Sequence, residues 1–160
     1  MRILYFLRVL LISTEFLIIA VSWLLAVYAL DAVGKFSLSM DFNPDLVKFL
    51  MIIPAGAVVW IANETRLLLQ DDKDTTRLLV RWPDYWKLKA HTNVCMVYAV
   101  FFCVVSIIPW ASKSGLSTGS GLIFFVCGFV GQLAVVYSIY SARIRLKEIT
   151  ALSEDANRSP

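Results

Sequence analysis

Residues 3–30 read ILYFLRVLLISTEFLIIAVSWLLAVYAL, an apolar run broken only by Arg8, Glu15 and a few hydroxyls. A helix needs about 20 residues to cross about 30 Å of hydrocarbon, so this run predicts a transmembrane span. Three more stretches pass the same length test, at about 46–69, 91–111 and 120–142. The whole chain agrees: 160 residues with 59% hydrophobic side chains, 17% charged and a mean hydropathy of +0.71 carry more apolar surface than one small water-soluble core hides. Backbone polar groups must satisfy one another within lipid, so the spans are helices. The fold expected is an all-α membrane protein, a compact bundle of four transmembrane helices formed by residues 1–152. In this reading a charged helix carries span four to 152, and 153–160 form a flexible tail. Val27-Tyr28-Ala29 has the small-x-small form of a signal-peptidase site, but the apolar run is too long for a signal core and carries a carboxylate.

Orientation follows from the basic residues. Of the 15, only Lys35, Lys48 and Lys113 fall in or beside the loops 31–45 and 112–120. The rest lie at the amino end, in the 70–91 loop or in the tail, so the positive-inside rule places both termini and that loop in the cytoplasm. A bacterial inner membrane is the setting expected. Helix-end signals match this map. Asn43-Pro44-Asp45 supplies a cap, a first-turn proline and a first-turn acid before span two, and Pro83 with Asp84 can start span three.

Glu15 is the residue that tests function. Its helical face continues through Ser22, Ala26 and Ala29, a stripe of small residues that lets another helix approach. Span four offers Gly121, Gly128 and Gly131 in return. Counted from the span ends at 1.5 Å per residue, Glu15 lies about 15 Å deep, Gln132 about 16 Å and Tyr98 about 13 Å. An intramembrane polar cluster of Glu15, Gln132 and Tyr98 is therefore expected, with Arg8, Asn63, Glu64 and Arg66 forming a shallower polar layer on the cytoplasmic side. In the 70–91 loop, Trp82, Tyr85 and Trp86 alternate with Arg81, Lys87 and Lys89. That mixture suits the headgroup level beside anionic lipid and also a docking surface.

Other chemistry is hard to find in the sequence. The single histidine, His91, falls at the cytoplasmic edge of span three and reads as a solvated residue, and Cys95, Cys103 and Cys127 match no zinc or redox spacing. No glycine-rich phosphate loop occurs, and Asp71, Asp72 and Asp74 lack the spacing of a calcium loop. Neither enzyme activity, cofactor, metal nor nucleic acid is expected. Four spans with both ends inside resemble, in topology alone, immunity proteins against pore-forming toxins and small phage-exclusion membrane proteins. Two function classes follow, the first preferred because only one midplane charge is present and no long polar stripe lines a pore. One is an interaction module, a subunit, regulator or immunity-type factor that binds another membrane protein through the small-residue faces and the 70–91 loop. The other is a homo-oligomeric ion or proton channel or transporter built around Glu15, since an intramembrane ionisable residue is costly and often marks a pathway.

Overall fold

The structure, a computed structural model, describes residues 2–40, 44–70, 84–111 and 115–158. Within them the chain is helical and contains no strand. Its elements are α1 (Arg2–Leu11), α2 (Thr14–Tyr28), α3 (Leu30–Ser39), α4 (Pro44–Gln70), α5 (Tyr85–Ala111) and α6 (Gly119–Arg158). Three helices carry stretches long and apolar enough to cross a membrane, Ile52–Leu69, Tyr85–Ala111 and Gly119–Ile149. A fourth span exists if α1 and α2, which meet at 51°, count as one broken span. Outward-facing Trp23, Phe49, Val59 and Tyr137 are each at least 70% exposed, a surface suited to lipid.

Helices α5 and α6 form the centre of the bundle and run antiparallel. Ala99 meets Gln132, while Phe102 and Ser106 meet Gly128. The glycines make that approach possible. A Cβ on Gly128 would lie 2.7 Å from the Phe102 carbonyl oxygen and 2.8 Å from the Ser106 nitrogen, and one on Gly131 would enter the Phe102 ring. Around this pair the core closes with Ile61 and Leu68 from α4, Val94, Tyr98 and Val105 from α5, and Val135 and Ile139 from α6. Helix α1 lies against α5, and α2 and α3 against α6.

The first apolar run departs from expectation by not being one helix. Ser13 adopts an extended backbone (φ −121°, ψ 156°); its hydroxyl accepts a hydrogen bond from the Phe16 amide and donates to the Leu10 carbonyl. A helix can break in lipid only if the freed backbone groups find partners, and a serine at the N-cap serves both sides of the break. The expected outer loop 31–45 is corrected as well, since residues 30–39 form α3. Its Ser37 hydroxyl donates to the Leu116 carbonyl, and Gly34 faces Gly119. Gly115, at φ +57°, makes the left-handed turn that leads into α6.

Other boundaries move less. Pro44 opens α4 as its first residue. Span three begins at Tyr85 rather than 91, with the Asp84 carbonyl accepting from the Lys87 and Leu88 amides. The tail expected to fray after 152 keeps helical backbone to Arg158, because no glycine or proline interrupts it before Pro160.

Candidate functional site

The helix break decides where Glu15 sits. It places the carboxyl in the first turn of α2, a position where the helix dipole favours a negative group. The bend also brings Glu15 to the level of His91, Cys95 and Ser138 instead of Gln132. These residues, with Val9, Ile12, Ser13, Thr14 and Val94, line a cavity of about 320 Å³. His91 Nε2 and Ser138 Oγ are hydrogen-bonded at 3.1 Å across α5 and α6, and the Cys95 thiol lies 3.7 Å from both. Ser138 is six residues from Gln132 along α6, a separation of about 9 Å.

Glu15 is 4% exposed, yet it ties no helices together. Its Oε2 accepts from the adjacent Thr14 hydroxyl at 3.2 Å, and Oε1 has no hydrogen-bond partner. Of the expected cluster, Gln132 instead donates Nε2 to the Ala99 carbonyl at 2.6 Å, leaving its own Oε1 without a partner. Tyr98 donates to the Leu10 carbonyl at 2.6 Å, satisfying a group that the break in α1 exposes. The three residues expected as one cluster thus have separate partners. His91, read from the sequence as a solvated edge residue, is half-buried and central. The signal that could have found it is its i,i+4 spacing from Cys95, which puts both on one face of α5.

A second, larger cavity of about 670 Å³ adjoins the first. Thr14, His91 and Ser138 line both, forming a shared neck. The larger chamber runs along α6 from Ala134 to Ile149 and also meets Tyr5, Asp84, Lys87 and Arg145. Lys87 Nζ is held by Asp84 at 2.8 Å.

The polar layer expected on the cytoplasmic side is rearranged. Glu64, 7% exposed, pairs with Arg143 of α6 at 2.7 Å, a partner the sequence reading did not assign, while Arg8, Asn63 and Arg66 face outward. In the proposed docking loop, Arg81 and Trp82 lie outside the described residues. Tyr85 packs against the core, Trp86 meets Tyr5 edge-to-face at 4.8 Å, and Lys89 is exposed. Ser22 and Ala26 on α2, and Ala29 at the junction with α3, are half-buried, and α2 packs on α6; Gly121, Gly128 and Gly131 are buried within the chain. No three His, Cys, Asp or Glu side chains among the described residues group closely enough to hold a metal ion. Comparison of the chain with protein families, characterised proteins and solved structures finds no match.

Proposed function

We propose that this is a small membrane protein that takes up a proton or small cation at Glu15, from a chamber opening toward the cytoplasm, and passes it across the bilayer. The observation that carries the reading is Glu15 Oε1, a buried carboxyl oxygen without a partner at the wall of a cavity. A buried acceptor left open costs roughly 1–3 kcal/mol, which a helix-tying role would have removed by supplying a bond. An occupant that donates to it removes the cost. Gln132 Oε1, about 9 Å further along α6, is a second buried acceptor without a partner and offers a deeper station.

The partner-binding class has less support, because both small-residue faces nominated for a partner are used inside the chain. In the orientation proposed, α1 and α2 form one broken span, the bundle has four spans, and both termini face the cytoplasm of a bacterial cell. Twelve of the fifteen basic residues then lie on the inner side, which supports it. Broken helices in membrane carriers frequently mark the binding site, which supports placing the exchange at the α1–α2 break.

The test is flux. The full chain is reconstituted in vesicles under a pH gradient or a monovalent cation gradient, beside Glu15→Gln, which keeps the shape and hydrogen-bonding capacity of the side chain without its charge. Flux in the wild type and none in a folded Glu15→Gln is expected. Equal flux in both would overturn the reading.

A further inference from the structure

We propose that the two adjoining cavities form one elongated binding site for a zwitterion, with its ammonium at Glu15 and its anionic end at Arg145. The inference deepens the function proposed above and rests on its exchange site at Glu15. Three observations point to this ligand. The inner cavity offers a buried carboxyl with an open oxygen, beside the Ser138 hydroxyl and the apolar side chains of Val9, Ile12 and Val94. That combination suits an N–H-bearing ammonium on a short hydrocarbon.

The outer chamber has the opposite character. Its cations are Lys87, which pairs with Asp84 at 2.8 Å, and Arg145, exposed on α6. A ligand with an anion at its trailing end makes that guanidinium an attractive contact. Size agrees. Cavities of about 320 and 670 Å³ joined through Thr14, His91 and Ser138 are in the range for a small organic molecule and far larger than a bare ion needs. From Ser138 at the neck to Arg145 is seven residues, two turns of one face of α6, or roughly 10 Å. The combined reach of the arginine side chain and a chain of several methylenes spans that interval.

The alternative occupants differ in which end they use. A hydrocarbon amine engages only Glu15, a carboxylate only Arg145, and a quaternary ammonium has no N–H to give Glu15 Oε1. Preference for the zwitterion over all three is the signature of a site with two charged ends.

The experiment is calorimetric titration of the full chain in lipid nanodiscs with 6-aminohexanoate, hexylamine, hexanoate and the trimethylammonium analogue of 6-aminohexanoate. Because each charged end contributes a charge-assisted hydrogen bond, 6-aminohexanoate is expected to bind about tenfold more tightly than any of the others. Glu15→Gln should bring its affinity down to that of hexanoate, and Arg145→Gln down to that of hexylamine. The comparison of four ligands on the wild type needs no variant to fold; where the variants are used, circular dichroism and a single elution peak establish their integrity. Equal affinity for 6-aminohexanoate and hexylamine would overturn the role of Arg145, and equal affinity for the trimethylated analogue that of the N–H donor. No binding by any ligand, with Glu15-dependent flux intact, would overturn the zwitterion and leave the exchange site standing. Neither binding nor flux would overturn both.

Discussion

Helices α5 and α6 touch along their length, yet two levels of the same pair behave differently. Around Gly128 and Gly131 the backbones approach until Phe102 and Ser106 fill the space where side chains would be. Two to three turns toward the other end, at His91 and Ser138, the pair opens beside cavities of about 320 and 670 Å³. The helices are the same; the third wall is not. Near Ser138 that wall is the α1–α2 break, where the chain changes direction by 51° and leaves room. Close packing holds the bundle at one level, and a diverted helix leaves a cavity at the other.

The largest expected effect on stability is at the closed level. A methyl group at Gly128 meets the Phe102 carbonyl and the Ser106 amide nitrogen, backbone atoms that cannot rotate away, so Gly128→Ala should cost roughly 1–3 kcal/mol. Gly56→Ala is the control, since a Cβ there meets nothing within 4 Å. Thermal unfolding in detergent should show a clear fall in midpoint for the first and none for the second. Equal falls would mean that glycine content, not the α5–α6 approach, sets the stability.

The closed level was also the more legible one in the sequence. The glycine face of α6 and the long apolar runs of α5 and α6 are patterns that hydropathy and helical spacing report directly. The open level was hidden because its cause is local. Ser13-Thr14-Glu15 is a helix-start signal, but it sits in a run whose hydropathy scarcely changes, so a scan for lipid solubility passes over it. Missing that break made the depth count place Glu15 beside Gln132, when the bend lowers it to His91. Helix α3 escaped for another reason. Asp31, Gly34, Lys35 and two serines give residues 30–39 the composition of a loop, and the contacts of Gly34 and Ser37 with the start of α6 hold them helical.

A smaller effect sharpens the comparison at a third place, where Glu64 and Arg143 join α4 to α6. The carboxylate is the buried partner and the guanidinium side chain is 38% exposed, so losing one is not equivalent to losing the other. Arg143→Ala leaves a buried carboxylate unpaired and should cost about 1 kcal/mol. Glu64→Ala leaves a cation that water still reaches and should cost less. Denaturation midpoints of the two single variants measured side by side test this order. A reversed order would mean that the arginine, not the glutamate, is the desolvated member.

The smallest effect on stability is expected where the functional effect is largest. Glu15 is as buried as the core residues around Gly128, but it contributes no bond between helices: one oxygen takes the hydroxyl of its own neighbour and the other takes nothing. Replacing it by an apolar side chain of similar size removes a desolvated carboxyl and breaks no interhelical hydrogen bond. Glu15→Leu should therefore unfold within about 0.5 kcal/mol of the wild type, or above it, while losing the flux proposed to depend on Glu15. Stability kept and activity lost is the pattern of a side chain retained for its chemistry against the interest of the fold. A loss in Glu15→Leu comparable to that of Gly128→Ala would erase the distinction between the two levels, and Glu15 would then belong with the glycines as a residue that holds the bundle together.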